Sequence, residues 1–155
     1  MFHSILVAVD GSEAATRALE QAIDVARAEG ARLTLVSVAV SPRRVAWPCF
    51  VPVPTEDDLE REAQEIVERA EALVPEDVLV STIVRRGPAA KAILERVETG
   101  EHDLVVMGSR GLGQAGALLL GSVSRAVLAH SPVPVLIARA RPAGARAYRA
   151  RHGET

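Results

Sequence analysis

Cysteine occurs once in the 155 residues, at Cys49, and lysine once, at Lys91. A single cysteine excludes an internal disulfide and a cysteine-rich zinc site, and it fits a reducing, cytoplasmic compartment. A single lysine, remote from any glycine-rich turn, excludes a Walker loop, which needs Gly-Lys-Ser/Thr. No apolar run approaches the roughly 20 residues of a membrane-spanning helix, so no membrane partner is expected. The opening Met1-Phe2-His3-Ser4 carries no Lys or Arg and the apolar stretch Ile5–Val9 stops at Asp10, unlike a secretory leader. Charge of one sign is also scarce. A net charge of −2 and a pI near 6.1 give no whole-protein field for gripping nucleic acid. The four histidines, His3, His102, His130 and His152, lack metal-ligand spacing.

What is present is an ordinary globular composition, 48% apolar and 25% charged, in a length that favours one domain. The domain is expected over residues 1–139. Residues 140–155, rich in Arg and without periodicity, are expected to form a disordered basic tail. Ile5–Val9 is continuously apolar and reads as a buried strand. Ser12 can cap a helix whose apolar positions Ala15, Leu19, Ala22, Ile23 and Ala26 recur at helical spacing, and Gly30 ends it. Leu33–Val38 is a second strand. The stretch Ser41–Pro54 carries four prolines and reads as a surface loop, in which Trp47 and Phe50 either fill a small local core or cover the mouth of a ligand pocket, and no helix start activates Cys49. Thr55 and Asp58 resemble a capping box opening a second helix. Val78–Val84 is a third strand, Pro88 suits the start of a third helix, Leu104–Met107 is a fourth strand, Ser122–Ala129 a fourth helix and Val133–Ile137 a fifth strand. Strands separated by helices of this length predict an α/β fold, a doubly wound parallel sheet with helices on both faces. Such sheets bind ligands at the carboxyl ends of their strands, where Asp10, Val38 and the segment after Met107 fall.

The segment running from Gly108 to Ser124 carries most of the chemistry. It follows a buried strand and leads into a helix. Glycine lets main chain approach a ligand closely and lets successive N–H groups converge on an anion. The helix start after Gly121 adds unpaired N–H groups and the positive end of its dipole. Ser122 and Ser124 add hydroxyls, and Arg110 is the one nearby cation. Such a loop equally serves as a plain connector, and the dinucleotide fingerprint would sit after the first strand, where only Asp10-Gly11-Ser12 is found.

The spacing Gly108-x2-Gly111-x9-Gly121-Ser122 after a Val-Val-Met strand is similar to that of the ATP-binding branch of the universal stress protein family. The opening Ile5-Leu6-Val7-Ala8-Val9-Asp10-Gly11-Ser12 and the closing Ser131-Pro132-Val133-Pro134-Val135-Leu136 resemble the same family. The resemblance implies a five-stranded sheet of order 3-2-1-4-5, the adenine-nucleotide-hydrolase-like arrangement, with a nucleotide beside strands one and four. It implies ATP as ligand, with Mg²⁺. Carried over by position, Asp10 meets ribose or metal, next to Ala8 and Val9, and Val38 offers main-chain groups to adenine. Met107 and Gly108 line the base and ribose side, and Arg110, Gly111, Gly121, Ser122, Val123 and Ser124 surround the phosphates. Ala8 stands where some relatives have proline and Arg110 where some have histidine. It also implies a homodimer through Val133–Ile137, a strand too apolar to leave exposed at an edge.

A carboxylate beside a triphosphate is repulsive unless it accepts from a ribose hydroxyl or faces a cation, so Asp10 either does this or caps the Gly11–Ser12 turn. Asp10 is the sole candidate base, and no Walker-B acid accompanies it. The expectation is a nucleotide-dependent regulator of stress response with at most slow ATP hydrolysis. The rival expectation is a dimeric interaction module of the same fold that holds no nucleotide.

Overall fold

A computed structural model describes residues 1–40, 54–111 and 120–140. The readings made for Trp47, Cys49, Phe50 and the tail after residue 140 lie outside the described residues. The order of elements is β1 (Ser4–Ala8), α1 (Glu13–Glu29), β2 (Arg32–Ala39), α2 (Glu56–Glu71), β3 (Val80–Arg86), α3 (Ala89–Thr99), β4 (Leu104–Gly108), α4 (Ser122–His130) and β5 (Val135–Ala138). All four strand pairings are parallel and the sheet runs β3-β2-β1-β4-β5. The fold is therefore the expected doubly wound α/β sheet, and its order is the one the resemblance implied.

The continuous apolar strands are explained by two-sided burial. Ile5, Val7, Leu33, Leu35 and Val106 pack with Leu19, Ala22, Ile66 and Val67 of α1 and α2 on one face. Leu6, Val36, Val105 and Met107 pack with Ile93, Val97 and Val127 of α3 and α4 on the other. Helix ends follow the sequence. Ser12 accepts the Ala15 N–H at 3.1 Å, and Gly30 takes the left-handed conformation, φ 69°, that closes α1. Thr55 and Asp58 form the full capping box, with Asp58 N–H to Thr55 Oγ1 at 3.1 Å and Thr55 N–H to Asp58 Oδ2 at 3.0 Å.

Two strands start two residues later than the apolar pattern indicated. Val78 is tied into a turn by donating its N–H to Pro75 C=O at 3.0 Å, so β3 begins at Val80. Pro132 and Pro134 have no N–H to give a ladder, and β5 begins at Val135, although Pro134 C=O still accepts from Val105 N–H at 3.0 Å.

The amino edge of the sheet is fastened by polar groups. Asp103 accepts the N–H groups of His3 at 2.8 Å and Ser4 at 3.1 Å, while Asp103 N–H donates to Ser4 C=O at 2.9 Å. His102 is buried, with Nδ1 2.9 Å from Ser4 Oγ and Nε2 without a hydrogen-bond partner among the described residues. Burial, reinforced by the nearby Arg96 and Arg32, pushes the imidazole down from 6.5 to about 4. The unfolded chain therefore binds a proton between pH 6.5 and about 4 that the folded chain refuses, and stability falls as pH drops through that window. Urea midpoints measured from pH 7 to pH 4 should decline, and His102→Asn, less stable at pH 7, should show a flatter decline.

Candidate functional site

At the carboxyl ends of β1, β2 and β4, on the α3/α4 side, lies a cavity of about 180 Å³. Its inner part is apolar: Val36, Val38 and Val40 from β2 and the residue after it, Ala89 and Ile93 from α3, and Met107 from β4. Its outer part carries Asp10, Arg110, Gly111 and Ser124. An apolar slot opening onto a polar mouth suits a ligand with one flat apolar end and one charged end.

Polar recognition in the apolar part falls to main chain. In parallel pairing a residue turns its N–H and C=O to the same neighbour, and successive residues alternate. The last bond between β1 and β2 is Val9 N–H to Val36 C=O at 2.9 Å. Val38 lies two residues further along that edge, where β1 has already turned away. Its N–H and C=O consequently face the cavity side, one donor beside one acceptor.

Glycine sets how close the walls approach. A Cβ on Gly108 would sit 2.8 Å from Ala14 C and 2.9 Å from Ala15 N, so the absent side chain lets the first turn of α1 rest on the end of β4. A Cβ on Gly111 would fall 2.7 Å from Asp10 Oδ2. Asp10 itself accepts the Ser12 N–H at 2.9 Å through Oδ1, the turn-capping role, which leaves Oδ2 turned to Gly111. The two roles considered for Asp10 use different oxygens and are compatible.

The two ends of the glycine-rich segment are joined. Ser109 N–H donates to Ala138 C=O at 2.6 Å, Gly121 N–H donates to Ser109 C=O at 2.8 Å, and Ser124 Oγ donates to Gly108 C=O at 2.8 Å. Gly121 caps α4 and has no side chain to offer, so among the described residues the first N–H groups of that helix have no capping side chain. Residues 112–119 lie outside the described residues.

The chain matches the model of the universal stress protein family over residues 1–139. It belongs to the universal stress protein family. A universal stress protein of Thermus aquaticus, named for its position 3′ of a QAH/OAS sulfhydrylase, is 38% identical over 148 residues, covering 90% of this chain and 100% of its own. The solved hypothetical protein MJ0577 is 24% identical, with a TM-score of 0.75 over 92% of this chain and 99% of its own, a likeness of fold. A universal stress protein solved in complex with cAMP is 26% identical, with a TM-score of 0.61 over 90% of this chain and 99% of its own.

Of the positions singled out from the sequence of this universal stress protein, Ala8, Val9, Asp10, Val38, Met107, Gly108, Arg110, Gly111, Val123 and Ser124 line the cavity. Gly121 and Ser122 do not line it and stand at the head of α4 beside it. The Ser124 hydroxyl, expected at a phosphate, is buried and already given to Gly108 C=O. Sequence reasoning missed Ala15, Val36, Val40, Ala89 and Ile93. Strand alternation from Val38 points to Val36 and Val40, and the i, i+4 pair Ala89 and Ile93 is the apolar stripe of α3. Among the described residues, no group of three or more His, Cys, Asp or Glu could hold a metal. No helix there is long and apolar enough to cross a membrane.

Gly108→Ala forces α1 off β4 and should cost about 1–3 kcal/mol, the usual range for an overpacked core, read as a lowered urea midpoint with an unchanged m-value.

Proposed function

We propose that this chain is an ATP-binding universal stress protein, a cytoplasmic nucleotide-dependent regulator in stress response. The observation that carries the reading is the cavity's division into an apolar slot edged by the Val38 main chain and a mouth of glycine main chain, Asp10 and Arg110. Adenine offers a donor beside an acceptor, which suits the paired N–H and C=O of Val38. Phosphates suit N–H groups at the head of α4 together with the guanidinium of Arg110. The cAMP complex of a relative supports an adenine nucleotide as the class of ligand.

Mg²⁺ fits this donor set in one way. With a single carboxylate in reach and no acidic cluster among the described residues, the ion would be held mainly by phosphate oxygens and water, with Asp10 Oδ2 as the protein's contribution. Asp10 also suits a ribose hydroxyl. Neither role positions a water for attack, and among the described residues Asp10 is the one acid lining the cavity, which supports hydrolysis that is at most slow.

The same reading includes a homodimer through the Val133–Ile137 segment. β5 is an edge strand, and Val133, Val135, Leu136 and Ile137 are half-buried in one protomer. A partner along that edge would complete their burial and satisfy the free ladder positions beyond Pro134.

Calorimetry with ATP and Mg²⁺ should give one site per chain, and Gly111→Val, which fills the space beside Asp10, should abolish the heat. An absence of binding by the wild type would leave the nucleotide-free interaction module. Steady-state ATP turnover should fall below the ~1–10³ s⁻¹ of typical enzymes. Light scattering should report twice the chain mass of 16.4 kDa for both wild type and Gly111→Val.

A further inference from the structure

β3 ends in two adjacent arginines that strand alternation sends to opposite faces. Val80 and Val84 pack into the core beneath α1 and α2, so even-numbered positions of β3 face that side. Arg86 follows the rule, pairing on α2 with Glu60 and, at 3.6 and 3.9 Å, with Glu56 and Asp57. Arg85 therefore points to the α3/α4 side, the side of the cavity. Its side chain is exposed and, among the described residues, makes no hydrogen bond or ion pair. The charge next door is neutralised three times over and this one is left open.

Its position is not arbitrary. Arg85 is the register partner of Val38, whose main chain edges the apolar slot, and it precedes the slot residue Ala89 by four positions. Side chains of paired residues in a sheet lie about 5 Å apart, so Arg85, which is not itself a lining residue, stands next to the lining residue Val38 on the β3 flank of the slot. The phosphate-side groups Arg110, Gly111 and Ser124 belong to the other flank, beyond β1. A cation at the phosphate end would answer negative charge. A guanidinium at the far end meets a base, and its plane stacks on an aromatic face as an ammonium cannot. Among the described residues the walls of the slot are aliphatic, and none of its lining side chains is aromatic.

We infer that Arg85 is a base-contacting residue, its guanidinium laid against the purine as the outer wall of the slot. The inference rests on the reading of the cavity as an adenine-nucleotide site. The assignment makes a part of the affinity depend on the base alone, independent of the number of phosphates.

Calorimetry with adenosine, AMP and Mg²⁺-ATP on wild type, Arg85→Ala, Arg85→Lys and Arg85→Tyr tests it. Arg85→Ala should weaken all three ligands by the same factor, roughly 3- to 30-fold as for a cation over an aromatic ring. Arg85→Lys should weaken them similarly, and Arg85→Tyr, flat but uncharged, should restore most of the loss. Circular dichroism should show all variants folded, since Arg85 anchors nothing. Unchanged affinity in Arg85→Ala overturns the assignment. So does a loss that grows with phosphate number and is repaired by Lys, which is long-range charge. A wild type that binds none of the three ligands overturns the site reading and the assignment together.

Discussion

The seating of α1 on β4 is the contact from which the rest of the cavity follows. With no side chain on Gly108, the main chain of Ala14 and Ala15 lies against the strand end, and the turn carrying Asp10 is carried with it. That places a carboxylate from the first βα turn beside Gly111 from the fourth, although the two are 101 positions apart in sequence. Any side chain at position 108 would lift the helix and open the mouth. The buried Ser124 hydroxyl reinforces the same point from the opposite side by holding the Gly108 carbonyl.

A second constraint is the unequal length of β1 and β2. β1 stops at Ala8 while its neighbour runs on to Ala39, which strips one edge of β2 of its partner for the last part of its course. Main-chain groups that a longer β1 would consume are left to face the slot. Polar groups exposed this way are fixed by backbone position more than by side-chain identity, and the residues around them are aliphatic.

Much of this was legible in the sequence because the signals are local. Apolar runs bounded by Ser12, Gly30, Thr55 and Pro88 marked the elements, and the caps formed as their residue types require. Of the glycines in the spacing, Gly108 and Gly111 line the cavity and Gly121 stands beside it at the head of α4. What escaped was set by tertiary geometry. That Val36 and Val40 line the slot depends on where β1 ends, and nothing in those residues announces it. Ser124 has the chemistry of a phosphate donor, yet a carbonyl 16 positions earlier claims its proton. Prolines 132 and 134 shortened β5 at its start although the apolar pattern runs through them.

The bond from Gly121 to Ser109, with Ser109 in turn bonded to the end of β5, closes the intervening chain into a ring pinned to the sheet. Lengthening a flexible ring adds closure entropy only logarithmically, about 0.6 kcal/mol for a doubling. The sheet would therefore tolerate many sizes of insert between those two anchors. Folding alone does not dictate the nine-residue interval between Gly111 and Gly121. Stability of the sheet leaves that count free to vary.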